Sequence, residues 1–319
     1  MKANLILLSF SLVFAEFFLQ ALGYPTWIPK GEIPAEDSWT IPDDKLGWKN
    51  GPGTWTLADS ERGVNFVYTF LNDSSRFSGN SSFVKRRISF VGDSYVQGYG
   101  LSDEDTFVSQ LQQQLPNVKF SNFGVPGFGT YQSLLMIRTI LLNESSLPDN
   151  LIYVLNSFHD QRNIGDLIYL RRMQFTKNDS YKIPYVTLDQ RGELEDKKFV
   201  GLPYWKLSTR SSIVALIDDI YHLLISWADK SKARKVTIQL LKLMADEAER
   251  KHLHFSVILL DASASDAIDY SSNLRLSKID FKDCTEIGGL GPEYRLPDGH
   301  PNKVMNLKIA DCISQILGD

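Results

Sequence analysis

"ISFVGDSYVQGYG", Ile88 to Gly100, is the stretch on which the reading of this chain turns. Ile88-Ser89-Phe90-Val91 is a short, mostly apolar run that suits a buried strand, and it stops at Gly92-Asp93-Ser94 before resuming as Tyr95-Val96-Gln97-Gly98. Two readings compete. Gly-Asp-Ser is good turn chemistry, and Ser94 is then a turn serine or a helix N-cap. In the other reading Ser94 stands at the carboxyl end of a strand in an open sheet, where α/β folds collect their ligands.

The sequence around this stretch alternates strand and helix patterns. "RISFVGD" reads as a buried strand, "NVKFSNFG" as a second, "DNLIYVLNSF" as a third and "HFSVILLDA" as a fourth. "DEDTFVSQLQQQL" places Phe107, Leu111 and Leu115 on one helical face behind acidic residues. "TYQSLLMIRTILL" does the same with Leu134, Ile137 and Leu141, and "NKVMNLKIADCISQIL" with Met305, Ile309, Ile313 and Ile316. Between the third and fourth strands, Asp189-Gln190-Arg191-Gly192 suggests a hairpin, and "SSIVALIDDIYHLLISWA" and "KVTIQLLKLMADEAER" read as helices. Such alternation predicts an α/β fold, a three-layer α/β/α sandwich around a mainly parallel sheet. The expected organisation is an N-terminal segment over 1–23, a linker and extension over 24–84, and a main domain over 85–319 with a helical insertion around 162–250.

Upstream, Lys2 precedes an apolar run from Leu5 to Ala15, the layout of a signal peptide. Cleavage fits after Ala15 or Gly23, and the apolar character that continues to Leu22 also fits an uncleaved anchor of marginal length. Both outcomes export the main domain: membrane-anchored and extracytoplasmic in one case, secreted or periplasmic in the other. Residues 24–84 are rich in Pro, Gly, Ser and Asn, with strand character near "GVNFVYTFLND". Their tryptophans, Trp27, Trp39, Trp48 and Trp55, suit either sugar stacking or packing onto the main domain.

The chain has 319 residues, 43% of them hydrophobic and 23% charged, so global disorder is disfavoured. A net charge of −4 with mixed signs argues against a nucleic-acid partner. Cys284 and Cys312 are either bridged, which export permits, or two separately buried thiols. Zinc-type Cys/His spacing is absent from the sequence, and no metal or cofactor is expected.

Four segments fall at ends of predicted elements: Gly92-Asp93-Ser94, "NFGVPGFGT" from Asn122, "NSFHDQRN" from Asn156, and "LPDGHPN" from Leu296. A serine hydroxyl is a weak nucleophile that needs a base, and the base needs an orienting group. His300 can take the proton from Ser94, and Asp298 can fix the tautomer of His300. An acyl-transfer oxyanion needs fixed donors. The backbone N–H groups of Ser94 and Gly127 suit that role, glycine allowing close approach. Arg162 either binds a substrate anion or pairs with an acid.

In their order, "FVGDSYVQG", "NFGVPGFGT", the polar block after the third strand and "DGHPN" resemble the blocks of the SGNH, or GDSL-type, hydrolase superfamily, over about residues 85–319. With the N-terminal apolar segment, "LGW" and "LNDSSRFSG", the chain resembles membrane-anchored bacterial members. The resemblance implies the three-layer α/β/α fold and a serine esterase or O-acyltransferase acting on an acyl ester, an acetyl group on a surface glycan being the best match. It implies catalytic Ser94, Asp298 and His300, no cofactor, a small-molecule or glycan ester substrate, and membrane partners in glycan modification. A non-catalytic glycan-binding or scaffold module on the same fold is the competing expectation. Two departures stand out. The family places Asn before Asp in its third block, where this chain has His159 before Asp160, so His159 is the expected third oxyanion donor and Asn163 the next candidate. The last block has Asp-x-His where Asp-x-x-His is commoner.

Overall fold

Val154-Leu155 and Ile258-Leu259-Leu260 are apolar at consecutive positions, a pattern that a strand covered on both faces buries completely. The computed structural model describes residues 2–24, 39–59, 63–81, 83–141, 147–166, 169–170, 173, 182–199, 206–228 and 230–317. In it these runs become the middle of a five-stranded sheet.

Along the chain, α1 (Lys2–Ala21) precedes two hairpins, β1 (Thr40–Asp43) with β2 (Gly47–Asn50) and β3 (Gly53–Asp59) with β4 (Val64–Phe70). The main domain follows as β5 (Arg86–Gly92), α2 (Ser94–Gln97), α3 (Phe107–Gln114), β6 (Val118–Gly124), α4 (Thr130–Leu141), β7 (Asn150–Asn156) and α5 (His159–Asn163). A hairpin of β8 (Ile183–Leu188) and β9 (Leu194–Phe199) and the helices α6 (Ser212–Ala228) and α7 (Lys230–Arg250) come next. The chain closes with β10 (His254–Asp261), α8 (Ala264–Leu276), β11 (Asp280–Asp283), α9 (Thr285–Gly288) and α10 (Lys303–Leu317).

The sheet order is β11-β10-β7-β5-β6, and every neighbouring pair is parallel. The chain leaves β5 to one side for β6 and returns to the other side for β7. The strand order therefore reverses beside β5, and its carboxyl end opens into the crevice used by doubly wound sheets. Alternating side chains feed two cores. Val91, Leu151, Tyr153, Leu155, Val257 and Leu259 pack under α4, α7 and α8. Ile88, Phe90, Ile152, Val154, Ile258 and Leu260 pack under α3 and α10. This is the expected three-layer sandwich.

Several local features differ from the sequence expectation. Asp103–Asp105 forms a separate 3₁₀ turn, and α3 starts only after Thr106, whose side chain accepts from Ser109 N–H. α8 has a weak apolar stripe, burying only Ala267, Tyr270, Ser271 and Leu274, and β11 is four polar-flanked residues recruited by backbone pairing to β10. Neither carries a pattern that periodicity could detect. Cys284 and Cys312 are joined in a disulfide that ties the start of α9 to α10.

The described part of the 24–84 stretch packs into the main domain. Leu46 and Trp48 belong to the core beneath α4. Buried Arg76 pairs with Asp103 at 2.8 Å and donates to the carbonyls of Gln97, Gly98 and Leu101, around the end of α2. Trp39 meets the Tyr68 ring edge-on, and Trp27 lies outside the described residues.

Among the described residues, no helix is long and apolar enough to cross a membrane. Phe10, Phe14 and Phe17 on α1 are exposed. Glu16 on α1 accepts from Ser211 Oγ at 2.8 Å, Ser212 N–H at 2.8 Å and Ile213 N–H at 3.1 Å, capping the amino end of α6.

Candidate active site

The turn after β5 is dictated by three residues. Gly92 lies against Val96, where a Cβ would come within 2.5 Å of Val96 Cγ2. Asp93 caps α2 by accepting from Tyr95 N–H at 3.0 Å. Ser94 then begins a single helical turn, 5% exposed. Its hydroxyl is 3.0 Å from His300 Nε2, although the two residues are 206 positions apart.

His300 is delivered by the loop before α10. Gly299 has φ of 90°, a conformation that strains any residue with a side chain, and it folds Asp298 back onto its neighbour. Asp298 Oδ1 accepts from His300 N–H at 3.1 Å, and its Oδ2 lies 3.0 Å from His300 Nδ1. Nδ1 is not aligned for a good hydrogen bond to that carboxylate, a looseness common in sites without substrate. The ring of Tyr99 is 4.6 Å and that of Tyr95 5.8 Å from the imidazole. Arg295 joins the two halves of the site by donating to Tyr95 Oη at 3.0 Å and to Gly299 O at 2.8 Å. Nothing in the sequence around Arg295 signals that role.

Gly127 has φ of 84° and lies in the turn after β6, which is tied to the strand before Ser94 by a Val125 N–H bond to Gly92 O at 3.1 Å. Among the described residues, neither Ser94 N–H nor Gly127 N–H has a hydrogen-bond acceptor.

His159 is not placed with these donors. It is fully buried, with Nε2 3.1 Å from Asp93 Oδ2 and Nδ1 2.6 Å from Tyr153 Oη. The expectation that it donates to an oxyanion is corrected by this geometry: both ring nitrogens face partners inside the protein. Asn163, the next candidate, is also occupied. Its Nδ2 donates to Thr130 Oγ1 and Thr237 Oγ1 at 2.9 and 2.8 Å, and its Oδ1 accepts from Tyr131 N–H at 3.0 Å. Asn163 thus clamps α5 to α4 and α7. Asp160 does the same work between α5, α7 and α8, accepting from Arg234 Nε at 2.7 Å and from Thr237 and Tyr270.

The residue missed in the sequence is Asp93, whose only signal was its place before Ser94. Its buried carboxylate accepts from Tyr95 N–H, from Asn156 Nδ2 at 3.3 Å and from Arg162 Nη1 at 3.1 Å, and it faces His159. Arg162 Nη1 also donates to Phe128 O at 2.7 Å, so it pairs with an acid and holds the glycine turn. Burial works against the charge on Asp93, but His159, Arg162 and the Tyr95 N–H outweigh it and hold the carboxyl at about 2. Burial pushes His159 below the ordinary histidine range against the pull of Asp93. Nε2 stands 3.1 Å from the Asp93 carboxylate without hydrogen-bond alignment, while Nδ1 faces the Tyr153 hydroxyl at 2.6 Å and accepts from Asn156 N–H at 3.4 Å.

The assembly can move a proton. With hydrogen on Nδ1 facing Asp298, the Nε2 lone pair of His300 faces the Ser94 hydroxyl. Loss of that proton would make Ser94 Oγ a nucleophile.

No protein-family model and no curated protein matches the chain. Solved structures similar to it include a psychrotrophic esterase from Pseudoalteromonas, at 13% identity, covering 74% of this chain and 100% of that one with a TM-score of 0.43. A catalytic mutant of an acetylxylan esterase from Geobacillus stearothermophilus is similar at 11% identity, over 76% of this chain and 97% of the other, with a TM-score of 0.43. A member of the lipolytic G-D-S-L family from Veillonella parvula is similar at 13% identity, over 72% and 97%, with a TM-score of 0.40.

Proposed function

We propose that the chain is a serine esterase of the SGNH/GDSL type that opens acyl esters through Ser94, His300 and Asp298. The observation that carries this reading is the 3.0 Å approach of His300 Nε2 to Ser94 Oγ, with the Asp298 carboxylate 3.0 Å behind the ring. His300 takes the Ser94 proton as Oγ attacks the ester carbonyl, and the N–H groups of Ser94 and Gly127 hold the resulting oxyanion. Collapse of the tetrahedral intermediate passes the proton from His300 to the departing alcohol and leaves an acyl-Ser94. Water, activated by the same imidazole, then releases the acid. A sugar hydroxyl in place of that water makes the protein an O-acyltransferase. An acetyl ester on an extracytoplasmic glycan is the substrate class we favour, and the apolar, exposed side chains of α1 support a position at a membrane, where partners in glycan modification would meet it.

A fluorophosphonate probe and small acetyl esters test the reading. The wild type is expected to label and to hydrolyse acetyl esters, and Ser94→Ala to do neither while keeping its melting temperature. Equal labelling and equal rates in both would end the mechanism. A folded wild type that never labels would favour the non-catalytic binding module.

A further inference from the structure

We propose that Trp48, far upstream of the catalytic blocks, is a positioning residue that aims the Gly127 N–H at the oxyanion. This deepens the esterase reading and rests on it.

Trp48 Nε1 donates to Pro126 O at 2.9 Å. The carbonyl of Pro126 and the N–H of Gly127 belong to the same planar, trans peptide, so they point in opposite directions. Fixing the carbonyl on the indole therefore fixes the N–H on the far side, away from the core. A donor on the carbonyl also polarises the peptide and strengthens its N–H as a donor. Glycine at 127 makes the unit easy to turn, since its φ of 84° is one of several conformations open to it. Something outside the turn has to hold the orientation.

The indole is suited to hold it. Trp48 is completely buried, and its ring packs edge-on against Phe128 at 5.7 Å. Its Cζ2 lies 3.1 Å from where a Cβ on Gly127 would stand, so the same ring that holds the peptide also closes the space behind it. β2 as a whole is wedged between the two loops of the site. Asn50, at its end, donates to Gly124 O at 2.9 Å, and its Oδ1 accepts from Gln97 Nε2 at 3.1 Å. Gln132 donates to Leu46 O at 2.9 Å, from α4. The strand thus joins the carboxyl end of β6, the nucleophile's helix α2 and the helix that follows the glycine turn. Residues upstream of the main domain complete its active site.

Two replacements isolate the indole N–H. Trp48→Phe keeps an aromatic ring. Incorporation of 3-benzothienylalanine at position 48 keeps the bicyclic shape and lacks only the donor. The readouts are the amide resonance of Gly127 in isotope-labelled protein and kcat and KM on p-nitrophenyl acetate. The expected result is a shifted Gly127 amide and a kcat lower by about 10-fold, short of the 10²–10³-fold of a donor removed outright, with KM within about twofold. A folded protein with the benzothienyl side chain and wild-type kcat and Gly127 resonance overturns the proposal. If the wild type shows no Ser94-dependent turnover, the esterase reading fails, and the Gly127 resonance still decides whether Trp48 orients that peptide.

Discussion

Two histidines around the Ser94 turn each stand about 3 Å from an aspartate, and they have opposite surroundings. His159 and Asp93 are both fully buried, and each has a further partner: Tyr153 behind the ring, Arg162, Asn156 and a backbone N–H around the carboxylate. His300 and Asp298 keep 21% and 47% of their side chains exposed, and His300 turns its other nitrogen to a serine. The buried pair has no route to a substrate and fixes the turn that carries Ser94. The exposed pair is partly open to solvent and faces Ser94. Residue type is the same in both, so burial and the third partner divide the labour between structure and chemistry.

The largest effect expected from this contrast is on turnover. Replacing His300 by Gln should cut kcat on acetyl esters by about 10⁴–10⁶-fold, because a nucleophile and its base fail together. Its unfolding free energy should stay within about 0.5 kcal/mol of the wild type, as for other changes at partly exposed positions. A His300→Gln protein with full activity would break the division of roles.

His159→Gln should show the reverse balance. Removing one partner of a buried pair leaves Asp93 less compensated, and a loss of about 2–4 kcal/mol in urea denaturation is expected. A stability equal to that of the wild type would mean that Arg162, Asn156 and Tyr95 suffice for Asp93 alone.

The smallest effect is on pH dependence. His159 in the folded protein holds its proton less tightly than an unfolded histidine, whose pKa is about 6.5. The unfolded chain therefore binds more protons below that value. The contribution of neutral His159 is complete above about pH 6.5 and is lost as pH falls through its folded pKa, with a slope of at most about 1.4 kcal/mol per pH unit. The stability gap between wild type and His159→Gln should narrow from pH 7.5 to pH 5.5. A gap that widens would show His159 to be protonated against Asp93, making the two pairs alike.

Much of the site was legible because short blocks carry their own local geometry. Gly92-Asp93-Ser94 after an apolar run could be placed at a strand end, and Asp298-Gly299-His300 is a turn that brings its own two side chains together. The place of His159 was not legible because its neighbours in space come from the turn after β5 and from β7, and a histidine beside a strand end looks the same whether it faces the cleft or the core. Arg295 and Trp48 were unreadable for the same reason: each acts through a contact to a distant loop, Tyr95 in one case and Pro126 in the other.

Periodicity determined four strands of the parallel sheet, β5, β6, β7 and β10, the covering helices α3, α4, α7 and α10, and the end of the sheet where chemistry could gather, because burying apolar side chains at spacings of two and of about 3.6 leaves few arrangements. Which histidine faces the serine, which acid is buried and which upstream tryptophan holds the glycine turn were decided only by tertiary packing. Those choices depend on the direction of single side chains across strands and loops that no local pattern in the sequence records.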